Sequence, residues 1–167
     1  MPAEDWLQGI EYMYKTTNYT KLLYFQFKLI HFILVTNENL YKWNISDSDI
    51  CVWCQEDIET LPHIFLECEV VKQFWSDLRQ WVYRQTNILF NITNKEIILG
   101  IFNTDLNQLN QIYLFAKRYI YTEKCKCIFP SIEGFRQCVH NILKIEKEIS
   151  ISKNKLEIFN QLWHNFI

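Results

Sequence analysis

Cys51-x2-Cys54-x8-His63-x4-Cys68 is the one constellation in this 167-residue chain whose residue types and spacing point to a definite chemistry. Thiolates and imidazole are the soft and borderline donors that zinc takes in a tetrahedron. A Cys pair separated by two residues suits a tight turn that aims two sulfurs at one ion. His63 and Cys68, at the beginning and end of a helical turn or two, can close the other side. Four protein ligands leave no open coordination position, so the expectation is one structural zinc ion rather than a catalytic one. The alternative is three buried thiols and a core histidine that share this spacing by chance. The polar Ser46-Asp47-Ser48-Asp49 run just ahead of Cys51 argues against it.

Other chemistry is sparse. The chain has three Gly and three Pro, and no phosphate-cradling glycine loop, H-E-x-x-H helix or serine beside a base. Asp47-Ser48-Asp49 is its one Asp-x-Asp pair, read as solvated turn acids. The expectation is therefore a non-catalytic protein. Cys125, Cys127, Cys138 and His140 form a C-x-C…C-x-H pattern. Residues two apart on a helix point about 200° from each other, so these pairs do not converge on a metal and are expected to be small buried hydrophobes. His31 is expected in the core, and nothing around His164 suggests catalysis.

A second lead lies in the charge. The net charge is −2, yet residues 1–70 hold four Lys and eleven carboxylates, a balance of −7, while residues 71–167 stand at +5. Between Phe115 and Lys155, nine cations (among them Lys117, Arg118, Lys124 and Lys126) face four glutamates, with Tyr119, Tyr121 and Phe129 interleaved. Cations for phosphates and aromatic faces for unstacked bases are the chemistry of single-stranded nucleic-acid binding. An ordinary solvated helix face over core aromatics is the other reading of the same residues.

The elements that must position these residues are helical. Hydrophobic residues are 49% and charged ones 22%, a globular composition with too little Gly and Pro for a turn-rich β-fold. A short helix is expected from Asp5 to about Thr16. A helix apolar nearly all round comes next, from Lys21 to Val35, and belongs at the centre of a core or under a partner. Ile45 to Gln55 reads as turn. Thr60 can cap a helix with Pro62 in its first turn. Val70/Val71, Phe74/Trp75, Leu78 and Trp81/Val82 continue it to about Gln85. Residues 86–93 form a linker, with a short extended Ile88-Leu89-Phe90, and Lys95 to Phe102 a short helix. Three longer helices are expected to start from Thr104, from Ser131 after Pro130, and from Ser152, the last with Trp163 and Phe166 on its stripe.

The expected fold is all-α, with a small zinc-stapled CCHC insert. Three segments are expected: N-terminal helices at 1–45, the zinc segment and following helix at 46–85, and a basic helical segment at 86–167. The acidic start lacks the basic region of an export signal. The most apolar stretch, Leu22–Val35, is too short and too polar to span a bilayer. An intracellular protein, cytoplasmic or nuclear, is expected, with its cysteines reduced or metal-bound. The three N-x-Ser/Thr sequons at Asn18, Asn44 and Asn91 are then coincidental.

Thr36-x3-Leu40-Tyr41-Lys42, Cys51-x2-Cys54, Glu59-Thr60-x2-His63-x-Phe65-x2-Cys68 and Val71-x2-Phe74-Trp75 together resemble the zinc-binding region at the C-terminal end of LINE-type (non-LTR) retrotransposon reverse transcriptases. Ala116-Lys117-x-Tyr119-Ile120-Tyr121-x2-Lys124-Cys125-Lys126, with Pro130 after it, is similar to the segment downstream of that region in such elements. The resemblance therefore covers about residues 20–150. It implies that Cys51, Cys54, His63 and Cys68 are the zinc ligands. In that family the segment lies beyond the polymerase palm and thumb and lacks catalytic carboxylates. It is held to engage the element's RNA or target DNA, which implies a nucleic-acid surface on Lys117, Arg118, Tyr121, Lys124 and Lys126. The parent protein would be an RNA-directed DNA polymerase, whose catalytic motifs this chain lacks. The implied partners are RNA or single-stranded nucleic acid. A structural or docking role against the polymerase part, through Leu22–Val35 or the Trp163/Phe166 stripe, is the alternative.

Overall fold

The computed structural model describes Leu7, Glu11 and residues 16–87, 93–99 and 107–166 of the chain. Its helices are α1 (Thr20–Ile30), α2 (Asn37–Lys42), α3 (Glu69–Thr86), α4 (Asn94–Leu99), α5 (Asn107–Cys125), α6 (Ile132–Ser152) and α7 (Leu156–Trp163), with a π turn at His63–Glu67 leading into α3. Leu7 and Glu11 are helical, as expected for the first segment. The fold is all-α. The described residues contain no strand, only a single antiparallel bridge between Ile50 and Ile58.

The helix buried on nearly every side is α5. Leu109, Ile112, Tyr113, Leu114, Phe115, Ala116, Tyr119 and Ile120 are all buried. It packs against α1, α6 and the π turn, while α7 closes over α6. The sequence assigned that central place to Lys21–Val35, and the structure corrects this. The first helix stops at Ile30, where Phe32 takes a left-handed φ of 55°. The Ile33 N–H then bonds the Lys28 carbonyl at 2.8 Å and the Phe32 N–H bonds that of Leu29 at 3.1 Å. This is a Schellman closure, which no sequence signal marks because it uses Phe instead of Gly. Asn44, Asn87, Cys127 and Asn154 end other helices in the same left-handed region. Asn tolerates that conformation better than most residues, which is how a chain with three glycines can still turn.

One core draws residues from all three sequence segments, from Leu22 through Val71 to Trp163. Its centre is aromatic. The Phe135 ring meets Phe74, Tyr119 and Trp81 at centroid distances of 5.7, 5.7 and 5.8 Å, and Trp163 stacks on Phe115 at 5.8 Å. Such pairs add about 0.5–1.5 kcal/mol each beyond the area they bury. Trp163 is 1% exposed and Phe166 packs on Trp81 at 5.1 Å. The C-terminal stripe is therefore spent within the chain and is not a free docking face.

The expected break at Pro130-Ser131 is present, with the Ser131 hydroxyl accepting the Gly134 N–H. Ser152, in contrast, is the last residue of α6 and not the cap of α7; its hydroxyl donates back to the Ile149 carbonyl. The expected Ile88–Phe90 strand and Thr104 cap, together with residues 100–102 of the short helix, lie outside the described residues. No helix among the described residues is long and apolar enough to cross a membrane.

Candidate metal centre

The backbone between Asp49 and Glu59 folds back on itself. The Cys51 N–H bonds the Asp57 carbonyl at 2.9 Å, and the Glu59 N–H bonds that of Asp49 at 2.8 Å. Inside this ribbon the Gln55 N–H reaches the Cys51 carbonyl at 3.1 Å, and Gln55 itself adopts a φ of 57°. The turn brings the two cysteines to one side, where the Trp53 N–H lies 3.5 Å from Cys51 Sγ.

The other two donors come from the chain entering α3. Thr60 opens this stretch, its hydroxyl accepting the His63 N–H at 3.1 Å, and Pro62 sits in the first turn where a missing N–H is harmless. The helix then widens. The Cys68 N–H bonds the His63 carbonyl at 3.0 Å, an i to i−5 closure. In a regular α-helix, residues five apart point about 140° away from each other. The π closure cancels most of that angle and turns both side chains to the same ion, a functional use typical of π segments. Nothing in the sequence marks the π turn apart from the spacing of its two ligands.

The four donor atoms of Cys51, Cys54, His63 and Cys68 lie within 4.8 Å of one another, and Cys54 Sγ stands 3.4 Å from His63 Nε2. Zinc–sulfur bonds of about 2.3 Å and zinc–nitrogen bonds of about 2.0 Å give tetrahedral edges of roughly 3.5–3.8 Å. The donor set and its spacing therefore fit one structural zinc ion with four protein ligands. His63 presents Nε2 to the site, leaving Nδ1 3.9 Å from the Asp57 carboxylate, on the side where an outer carboxylate orients a zinc-bound imidazole. Without metal, burial pushes the Cys51 thiol up to about 12 and also raises Cys68. Burial acts in the same direction on Cys54, but the backbone N–H groups of Asp57 and Glu56 outweigh it and lower that thiol. Cys51 and Cys68, buried this way, ionise against a cation, and three thiolates with a dication leave one net negative charge.

Glu59, beside the ligands, is fully buried. Its carboxylate accepts the Asn37 N–H at 2.8 Å and the Val52 N–H at 3.4 Å, and pairs with Lys124 Nζ at 2.7 Å. The Trp53 indole N–H adds a bond to the Ile128 carbonyl at 3.0 Å, so the metal ribbon is fastened to the end of α5 at two points. In the sequence Glu59 stands out only as part of a recognisable block. Its partner Lys124, far along the chain, has the sequence character of a phosphate contact.

The residues assigned to a nucleic-acid surface do not form one patch. Lys117 is 2% exposed, with Nζ donating to Gln26 Oε1 at 2.8 Å and to the Ile98 carbonyl at 3.3 Å. Lys124 is held in the pair with Glu59. Lys126 is exposed but paired with Glu123 at 2.7 Å. Arg118 is half-buried over the Phe25 ring, 5.5 Å from its centroid, and the Tyr121 hydroxyl bonds both the N–H and the carbonyl of Val35 at 3.1 Å. Two positions on the polar-looking stripe of α5 thus serve the interior. Cys125 and Cys127 are exposed and Cys138 half-buried, not the buried hydrophobes expected, and the described residues hold no second metal cluster. His31 is likewise exposed, its ring tilted against that of Phe27 with the centroids 4.3 Å apart.

No curated protein matches the chain. Residues 2–75, which end inside α3 and include all four metal-binding side chains, match the family model described as zinc-binding in reverse transcriptase, and this bears out the resemblance read from the Cys51–Cys68 block.

Proposed function

We propose that this chain is a non-catalytic module of the LINE-type reverse-transcriptase kind, in which zinc fixes the fold and the helical surface binds RNA or single-stranded nucleic acid. The observation that supports it most is the completeness of the metal site: four protein donors leave zinc no position for water or substrate. The +5 balance of residues 71–167 favours a polyanionic partner. With Lys117 and Lys124 buried, Arg118, Tyr121 and Lys126 are the members of the sequence-assigned set left to such a contact.

The test is a titration of zinc-loaded protein against labelled single-stranded RNA at several salt concentrations. The reading predicts an affinity that falls linearly in log–log salt, by about 0.7 per phosphate contact. No binding at about 50 mM salt would overturn it.

A second reading, docking on a polymerase part, draws on a different observation. Tyr41, Trp43 and Ile45, just ahead of the metal ribbon, are 50%, 56% and 70% exposed. Apolar side chains gathered this way are a common feature of protein interfaces. Replacing all three with Ser would abolish docking and leave RNA affinity unchanged.

A further inference from the structure

Lys21, Tyr24 and Lys28 fall at i, i+3 and i+7 on α1 and so share one face of it. Opposite them stand Arg118 and Tyr121 of α5, and together these five side chains line a groove of about 270 Å³ between the two helices. The Tyr121 hydroxyl clamps the Val35 backbone and so fixes the wall of the groove. No carboxylate lines it.

The cations in this groove differ from four others on the surface that are neutralised by a neighbour. Lys42, Lys72, Lys126 and Arg136 each pair with a glutamate three or four residues away. Among the described residues, Lys21, Lys28 and Arg118 have no such partner. Two of them lie on aromatic rings instead, Lys28 Nζ 4.5 Å from the Tyr24 centroid and Arg118 over Phe25. Tyr24 remains 59% exposed in the midst of these charges.

We propose that the groove between α1 and α5 seats a short single-stranded nucleic-acid segment, with its phosphates on Lys21, Lys28 and Arg118 and an unstacked base on the Tyr24 ring. The proposal rests on the nucleic-acid reading above and gives it a location. Unpaired cations flanking an exposed aromatic face suit a strand whose bases are free to leave the stack. A duplex would offer its phosphates alone and leave Tyr24 without a role. Lys21 and Lys28 stand about 10 Å apart along α1, with Arg118 facing them from α5, so the segment bound is short.

The experiment compares zinc-loaded wild type with three variants against a labelled oligouridine RNA and a duplex RNA of equal length. The variants are Tyr24→Ala, the triple Lys21→Gln/Lys28→Gln/Arg118→Gln, and a control on α6 and the turn after it, Lys144→Gln/Lys147→Gln/Lys155→Gln. Far-ultraviolet circular dichroism and zinc content confirm that each is folded. Tyr24→Ala is expected to weaken oligouridine binding about tenfold or more with little effect on duplex. The triple variant is expected to reduce the salt slope by about two units, and the α6 control to leave both unchanged. If wild type binds and the α6 control loses affinity while the groove variants do not, the groove is wrong and the general reading stands. Equal loss of duplex and single-strand binding in Tyr24→Ala would overturn the base-stacking role. If wild type binds neither RNA, the general reading fails and the groove with it.

Discussion

Lys124 Nζ lies 2.7 Å from the Glu59 carboxylate, and both side chains are buried. Glu59 also accepts backbone N–H groups from Asn37 and Val52. A single carboxylate thus joins α2, the metal ribbon and the last turn of α5. The zinc segment is consequently part of the helical core's own polar framework, tied to it by a pair whose loss is felt on both sides.

Removing one partner of a fully buried ion pair leaves an uncompensated charge and costs about 3–5 kcal/mol. Lys124→Met should therefore lower stability by that amount in urea denaturation. Adding Glu59→Gln should recover part of the loss, because it removes the uncompensated charge while the amide oxygen still accepts the shorter of the two backbone bonds, that from the Asn37 N–H. A double variant whose loss equals the sum of the single losses would show that the pair is not coupled.

Lys117 gives a pH dependence with a definite sign. Burial lowers its pKa from 10.5 to about 7, and the Gln26 and Ile98 oxygens that face it carry no charge. Between those two values the unfolded chain binds a proton that the folded chain does not. The contribution of this group to stability is therefore least favourable below pH 7 and rises as the pH climbs toward 10.5, by at most about 1.4 kcal/mol per unit. Denaturation curves across that window should show a rise in wild type that Lys117→Met removes.

Gly134 is tested by crowding. A Cβ there would overlap the Tyr119 hydroxyl, which accepts the Ser131 N–H at 3.3 Å in a part-buried site. Alanine gains about 1 kcal/mol of helix propensity over glycine, yet overpacking of this kind typically costs about 1–3 kcal/mol. Gly134→Ala should thus fail to stabilise α6, whereas Gly134→Ala with Tyr119→Phe should melt higher than Gly134→Ala alone.

Chelation should act first on the ribbon. Without metal the Cys51 and Cys68 thiols are protonated in a buried site, and the turn from Asp49 to Glu59 keeps its backbone bonds and its ties through Glu59 and Trp53 but loses the cross-link to His63 and Cys68. Hydrogen exchange after chelator treatment should accelerate at residues 49–68 before it does in α6. Trp53 fluorescence should change in the same step, because its indole is tied to Ile128 across the ribbon. Uniform exchange throughout the chain would contradict a local staple.

Much of this is legible in the sequence where the signal is local. The Cys51/Cys54 and His63/Cys68 pairs, the Thr60 cap with Pro62, the Val71–Val82 stripe and the Ser131 start each depend on neighbours a few residues apart. The hidden part depends on partners remote in the chain or on backbone forms without a residue signature. Lys117 and Lys124 read as phosphate contacts because neither Gln26 nor Glu59 is near them in sequence. The end of α1 at Ile30 depends on Phe32 in a left-handed conformation that its side chain does not advertise. Arg118 and Tyr121 stand out in the sequence for cationic and aromatic character, and both line the groove beside α1.

The most direct test of the account is the zinc K-edge X-ray absorption spectrum of the purified protein, taken with its metal content. One zinc per chain is predicted, with three sulfurs at about 2.3 Å and one nitrogen at about 2.0 Å. A shell of oxygen and nitrogen, fewer than three sulfurs, or an open position filled by water would contradict a closed structural site built from Cys51, Cys54, His63 and Cys68.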